Sequence, residues 1–195
     1  MSVYRTAPES HDDLIARLRE RSKDPRRLRD MVFTGDCVAP PTTVAEIAEA
    51  EQRLGSELPS LLASLYTAIG NGGFGPGYGL LGLIHGHSVG DDRAVSLWEA
   101  WTSCHLDARY QAWRYPRTFL PLAAWGCAIY SCVDLADPSS LVWRFEPSGF
   151  IELGSGEDDD PDLVPTTQEE FSELFGREAP LAEWLESWLA GTLEQ

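Results

Sequence analysis

Residues 43–73 read TVAEIAEAEQRLGSELPSLLASLYTAIGNGG, and this stretch predicts two consecutive helices followed by a sharp turn. Thr43 and Glu46 have the spacing of a capping box, in which each side chain accepts a hydrogen bond from the other residue's backbone N–H, so the first helix begins here. The helix continues to Gly55, a residue type that commonly ends helices. Its predicted apolar stripe consists of Val44, Ile47, Ala50 and Leu54. Pro59 suits the first turn of the second helix, which the Gly-Asn-Gly-Gly sequence ends.

Apolar residues at helical spacing predict which helix faces are buried. The second helix of this pair contributes Leu58, Leu62, Leu65 and Ile69. Two further helical patterns cover Asp12–Arg21 and Ala94–Trp113. A later helix is capped by Thr166 or Thr167 and includes Phe171, Leu174 and Phe175. The last helix has Trp184 and Trp188 on one face. We expect these two tryptophans to lie in the core rather than to bind a partner.

The middle of the chain predicts β structure. Leu80–Ile84 is apolar enough to form a buried strand after the glycine-rich turn. Four short segments rich in β-forming residues follow, and turn-type residues separate them: Phe119–Ala123, Ala128–Asp134, Leu141–Glu146 and Phe150–Leu153. Strands in close succession indicate an antiparallel sheet. Because no repeat or long linker divides the chain, we expect a single α+β domain in which helices, including the pair over residues 43–69, pack beside a mostly antiparallel sheet.

The chain is acidic, and its charge is unevenly placed. Its 195 residues include 15 Lys+Arg and 31 Asp+Glu, a formal charge of −16 that disfavours contact with nucleic-acid phosphates. Residues 146–195 hold fourteen acidic residues and one basic residue, Arg177. The densest run must lie in water or against a cationic partner. It consists of Glu157, Asp158, Asp159, Asp160 and Asp162.

Two further features bear on where the protein acts. The sequence contains no apolar run of about 18 residues and no hydrophobic leader, so we expect a soluble, cytoplasmic protein that binds neither a membrane nor nucleic acid directly. The cysteines are too few for a disulfide scaffold and lack C-x-x-C spacing, so we expect them to be small buried side chains. They are Cys37, Cys104, Cys127 and Cys132.

The best metal-binding candidate is the sequence His85-Gly86-His87, which two aspartates follow. Imidazoles at positions i and i+2 face the same side of a strand, and Asp91 and Asp92 could complete a site. However, the H-x-H pattern is common by chance, and the surrounding glycines favour a loop. We therefore expect no bound metal.

Other catalytic patterns are weak. Cys104 and His105 are adjacent, so their side chains point apart on either a helix or a strand. The glycine-rich stretch after Asn71 follows a helix and lacks the lysine of a phosphate-binding loop, and no Gly-x-Ser-x-Gly sequence occurs. The acidic run lacks the alternating spacing of a calcium loop. The sequence therefore predicts no catalytic residues and no cofactor.

The helix pair and the segments after it also carry a family pattern. Within the pair, the pattern consists of Ile47, Glu51, Leu54, Gly55, Leu58, Pro59, Leu62, Leu65, Tyr66 and Ile69–Gly73. Leu80–Leu83, Phe119–Ala123 and Tyr130–Asp134 follow in the family's order. The pattern resembles that of the SUKH superfamily, which includes the fungal cell-wall-assembly regulator and many bacterial immunity proteins. We then interpret residues 1–35 as a helical extension and residues 36–195 as a SUKH-like α+β domain.

The resemblance implies an α+β fold, no catalytic residues and a role in binding another protein. Bacterial members typically neutralise a toxin, so the implied partner is a cognate toxin, and nucleases are one class of such toxins. The acidic run Glu157–Asp162 would then form part of the partner-binding surface, because clustered negative charge steers an inhibitor onto the cationic site of a nuclease. A cytoplasmic regulatory or scaffold module like the fungal members is the alternative, and an enzyme that uses His85 and His87 is a more distant one. The oligomeric state stays open.

Overall fold

The structure of the protein, a computed structural model, describes residues 11–24, 38–88, 97–106, 116–146 and 168–193. The helices in these ranges are α1 (Asp12–Ser22), α2 (Val44–Leu54), α3 (Ser60–Ala68), α4 (Leu97–Leu106), α5 (Gln168–Glu173) and α6 (Leu181–Ala190). The strands are β1 (Phe119–Gly126), β2 (Ile129–Asp134), β3 (Leu141–Phe145) and β4 (Phe175–Pro180). The architecture is a single α+β domain with a four-stranded antiparallel sheet, which confirms the predicted fold class.

The helix pair α2–α3 forms as its sequence predicts. Glu46 N donates to Thr43 Oγ1 (3.2 Å), and Thr43 N donates to Glu46 Oε2 (2.7 Å), so the capping box is present. Gly55 ends α2 with φ at +71°, and α3 begins directly after Pro59. The predicted apolar face lies in the core, where Ile69 is partly buried and its companions are buried: Leu58, Leu62 and Leu65.

The sheet has the strand order β1-β2-β3-β4, and each neighbouring pair is antiparallel. Ser131 in β2 lies between Ala123 in β1 and Arg144 in β3. The β1–β2 hairpin turns at Cys127 and Ala128, which both have positive φ (+48° and +59°).

The cysteine prediction is only partly correct. Cys132 in β2 is buried, whereas Cys127 is exposed because it occupies the hairpin turn. Cys37 and the side chain of Cys104 lie outside the described residues.

The fourth strand corrects the prediction for the C-terminal region. The sequence predicts that Phe175 belongs to a helix, but α5 ends at Glu173 and Phe175 begins β4. Gly176 and Pro180 are poor helix formers, and pairing with β3 stabilises the extended chain instead. The sheet is therefore completed by a strand outside the predicted range, and the predicted strand Phe150–Leu153 lies outside the described residues.

The segment Leu80–Ile84 is buried, as predicted, but it does not form a strand. Only Leu80 makes a bridge, with Ala123 of β1. The backbone has positive φ on both sides of the segment, at Gly79 (+92°) and at His85 (+59°). Gly86 N donates to the carbonyl of Leu83 within the segment (3.1 Å), so a turn begins at Leu83 and leaves too few extended residues for a ladder.

The main core lies on one face of the sheet. α6 packs on β3 and β4, and α4 packs on β1. Trp184 and Trp188 of α6 are buried in this core, as predicted. α2 and α3 belong to the same core, but they contact the sheet mainly through the loop over residues 70–88. The expectation that the helix pair packs directly on the sheet is therefore corrected. A second apolar cluster consists of Phe119, Cys132, Phe145 and Leu174.

Helix α1 is attached to the ends of two other helices. Its Leu14 and Leu18 are buried in the main core. Arg19 Nε donates to the carbonyl of Ala68 at the end of α3 (3.1 Å), and Arg21 Nη1 donates to the carbonyl of Trp188 in the last turn of α6 (2.6 Å). Carbonyls in a last helical turn have no partner within the helix, so these arginines complete their hydrogen bonding.

Candidate functional site

The loop over residues 70–88 is held together by the side chain of Asn71. Its Nδ2 donates to the carbonyl of Ile84 (3.1 Å), and its Oδ1 accepts from the N–H of Leu83 (2.8 Å). The backbone carbonyl of Asn71 accepts from the N–H of His87 (2.8 Å). Because Asn71 is buried, these bonds satisfy backbone groups that water does not reach.

The backbone amides of this loop are used inside the protein. Gly73 N donates to the carbonyl of Leu80 (2.9 Å), and Gly82 N donates to the carbonyl of His87 (2.7 Å). A Cβ on Gly72, whose φ is +86°, would lie 2.5 Å from the Leu80 oxygen. The glycines therefore permit close packing of the loop on itself, and the amides of Gly73 and Gly82 do not point at a phosphate.

The loop also joins α3 to the edge of the sheet. Tyr66 Oη in α3 donates to the carbonyl of Leu81 (2.6 Å), and burial raises the pKa of this phenol. Leu81 N donates to the carbonyl of Leu122 in β1 (2.7 Å), and Tyr78 N donates to the carbonyl of Ala124 (2.9 Å). The family-like segment is thus a connector between the helices and the sheet.

The two histidines do not share a face. His85 is exposed, whereas His87 is buried, because the residues around them form a loop rather than the strand that a paired H-x-H site requires. Among the described residues, no group of three or more His, Cys, Asp or Glu side chains is placed to hold a metal ion. Asp91 and Asp92 lie outside the described residues.

A polar cluster crosses the sheet, with Trp125 and Ser131 buried and Arg144 and Glu178 half-buried. Trp125 Nε1 donates to Ser131 Oγ (3.0 Å), and Ser131 Oγ in turn donates to Glu178 Oε2 (3.4 Å). The guanidinium of Arg144 lies over the Trp125 ring, 5.3 Å from its centroid. Burial raises the pKa of Glu178, although Arg144 and Ser131 act in the opposite direction. Ser131 Oγ is hydrogen-bonded to an indole and a carboxylate, neither of which is an imidazole base, so the cluster links strands rather than forming a Ser-His pair.

Sequence reasoning did not identify this cluster. Glu178 belongs to β4, the strand that the pattern missed, and it reaches Ser131 only through the sheet. The available signal was the polar character of Ser131 and Arg144 within otherwise apolar strands.

The sequence-predicted partner-binding residues, Glu157, Asp158, Asp159, Asp160 and Asp162, lie outside the described residues. Both flanks of their segment are described. The N–H of Glu146, directly after β3, donates to the carbonyl of Leu174, directly before β4 (2.9 Å). A groove of about 290 Å³ lies at this point, and its lining includes Arg144, Glu173 and Gly176. The acidic segment therefore lies between β3 and α5, and the residue directly after β3 is hydrogen-bonded to the residue directly after α5.

The part of the chain from the start of α2 into α6 matches a known protein family. A model of the SMI1 / KNR4 family (SUKH-1) matches residues 41–187, which is well over half of the chain. No curated protein matches the chain. In the described part of the chain, no helix is both long enough and apolar enough to cross a membrane.

Proposed function

This chain belongs to the SMI1 / KNR4 family (SUKH-1), and from that membership we propose that it is a bacterial immunity protein that binds and neutralises a cognate toxin in the cytoplasm. Members of the family are generally non-enzymatic immunity or regulatory proteins that act through protein–protein interaction. The partner in this proposal is a toxin domain with a cationic surface, of which a nuclease is one kind.

The charge distribution is the observation that carries the proposal. The formal charge is −16, and residues 146–195 contain fourteen of the 31 acidic residues. Nucleases are cationic where they hold phosphates, so a concentrated acidic surface attracts such a partner over long distances. In this proposal, the partner-binding residues are Glu157, Asp158, Asp159, Asp160 and Asp162.

The proposal predicts that neutralising part of the acidic run slows association with the toxin. We expect replacement of Asp158, Asp159 and Asp160 by Asn to reduce the association rate and to flatten its dependence on ionic strength, because exposed charges act mainly through long-range attraction. Dissociation should change less. The measurement is association rate against salt concentration, with the inactivated toxin encoded by an adjacent gene as the ligand.

A matched control removes the same amount of charge elsewhere. Asp12→Asn, Glu20→Gln and Glu183→Gln change three exposed carboxylates on α1 and α6. If both triple variants show the same association rates and salt slopes, the acidic run has no special role. Weak binding to several unrelated proteins, without neutralisation of the toxin, would instead support a regulatory or scaffold module.

A further inference from the structure

The outward side of α2 and the residues before it form an exposed apolar surface. Val44 is 80% exposed, which corrects the prediction that it shares a buried stripe with Ile47 and Ala50. It is the exposed large hydrophobic side chain among the described residues. Ala45 and Ala48 are also exposed and lie beside it on the outward side of the helix. Pro40 and Pro41 are exposed immediately before the helix. These five residues are called the α2 patch below.

Hydrogen bonds hold the backbone of the α2 patch in place. Asn71 N donates to the carbonyl of Pro40 (3.0 Å), and Thr42 N donates to the carbonyl of Tyr66 (3.0 Å). The Glu46 carboxylate accepts from Thr42 Oγ1 (3.0 Å), which fixes the start of the helix. A surface that is already ordered loses little conformational entropy when a partner binds, so more of its contact energy appears as affinity.

In the sequence around the α2 patch, carboxylates outnumber cations, and Arg53 is paired with Glu49. Residues 41–58 contain one cation, Arg53, and four carboxylates: Glu46, Glu49, Glu51 and Glu57. Hydrogen bonds from Thr43 and Thr42 lower the pKa of Glu46, so this carboxylate stays ionised further into the acid range. A second copy of the chain carries the same charge of −16, and like charge opposes self-association. The complementary partner has apolar side chains surrounded by lysines and arginines.

We propose that the α2 patch anchors the cationic protein partner, through contact with an apolar area that has a basic rim. This inference rests on the proposed function and adds to it the apolar contacts that clustered charge alone does not provide. Affinity in protein complexes depends on a few desolvated anchor residues, and loss of such an anchor acts mainly on dissociation. The acidic run attracts the partner, and the α2 patch holds it.

The test uses the inactivated toxin encoded by an adjacent gene as the probe. Ala48→Gln places a larger, uncharged side chain with good helix propensity in the α2 patch. We expect this variant to raise the dissociation rate about tenfold, because the larger side chain disrupts the apolar contacts of the bound complex and such contacts affect mainly the dissociation rate. The association rate and its salt dependence should stay unchanged, since no charge is altered. Val44→Ala, which trims the exposed side chain, should raise the dissociation rate by a smaller factor.

Ala16→Gln is the matched control, because Ala16 is an exposed alanine on a different helix, α1. It should leave both rates unchanged. Circular dichroism and thermal unfolding of each variant verify that the fold is intact. Dissociation rates equal to wild type for both Ala48→Gln and Val44→Ala would overturn the role of the α2 patch, while toxin binding by the wild type would keep the proposed function. A toxin that does not bind the wild type would overturn the proposed function itself. A homodimer that Ala48→Gln disrupts would assign the α2 patch to a second copy and overturn the inference.

Discussion

Asn71 shows how much of this fold depends on one side chain. It donates to a carbonyl, accepts from an N–H and, through its backbone, binds the chain both at Pro40 and at His87. An aspartate has no donor for the Ile84 carbonyl, and a serine is too short to bridge both groups. Asn71 is therefore the residue that connects α3, the start of α2 and the loop.

We expect Asn71→Ala to lower the free energy of unfolding by about 2–5 kcal/mol, because it leaves a buried N–H at Leu83 and a buried carbonyl at Ile84 without partners. Urea unfolding followed by tryptophan fluorescence measures this loss. Gln52→Ala, at an exposed position of α2, is the control and should stay within about 0.5 kcal/mol of wild type. Equal midpoints for Asn71→Ala and wild type would show that the hydrogen bonds of this side chain are dispensable.

The β1–β2 hairpin has a turn whose residues do not match its backbone conformation. Two-residue turns with positive φ at both positions favour Asn and Gly, yet Cys127 and Ala128 occupy this one. A β-carbon makes the left-handed conformation costly. The hairpin therefore forms because its flanking strands pair, and the turn carries strain.

We expect Ala128→Gly to raise the free energy of unfolding by about 0.5–1 kcal/mol, since glycine adopts positive φ without a steric penalty but adds entropy to the unfolded chain. Ala136→Gly provides the comparison, because Ala136 is an exposed turn residue outside the set with positive φ. That change should be destabilising. Thermal unfolding of both variants tests the difference, and a shift of the same sign in both would contradict the strain at Ala128.

At the level of elements, the sequence predicts best what local interactions decide. The α2–α3 pair follows from the capping box at Thr43, the stop at Gly55 and the leucine spacing, all of which act within a few residues. β4 could not be predicted in this way, because Phe175–Pro180 is extended only through its pairing with β3, some thirty residues earlier in the chain. Leu80–Ile84 has strand-like composition, but the turns on either side are set by packing of the loop on β1.

Some of the candidate sites can also be recognised from the sequence, whereas others depend on how the chain folds. The acidic run is visible from composition alone, since charge needs no fold to be counted. The α2 patch is not, because which side of α2 faces water depends on where α2 packs. The Asn71 motif is visible as a family pattern, but its role is defined by partners as distant as His87.

At the scale of the whole molecule, stability depends on pH, and among the described residues Glu178 and Glu46 have pKa shifts of opposite sign. Burial raises the pKa of Glu178 above its ordinary value of 4.5, because the folded state favours the protonated carboxyl group. The protonated group therefore contributes stability at low pH, and this stability is lost as pH rises through the folded-state pKa. Hydrogen bonds from Thr43 lower the pKa of Glu46, so its contribution is present above the unfolded-state pKa and is lost as pH falls through the folded-state pKa.

We therefore expect Glu178→Gln to become more stable relative to wild type as pH rises from about 4.5, the ordinary carboxyl value, towards neutrality. Glu46→Gln should show the opposite trend, because it lacks the charge that the helix start stabilises. Unfolding midpoints measured for both variants across this range test the signs. If the midpoints of both variants, relative to wild type, changed with pH in the same direction, the sign of one of the two pKa shifts would be wrong.

The loop that lies along β1 has a consequence for self-assembly. A strand at the edge of a sheet offers unpaired backbone groups onto which strands of other molecules can add, and this is the usual start of ordered aggregation. In this protein, Tyr78 and Leu81 already bind the β1 carbonyls of Ala124 and Leu122. The irregular glycine-rich loop covers that edge with a backbone that cannot itself be extended into a further strand, so it ends the growth of the sheet on this side.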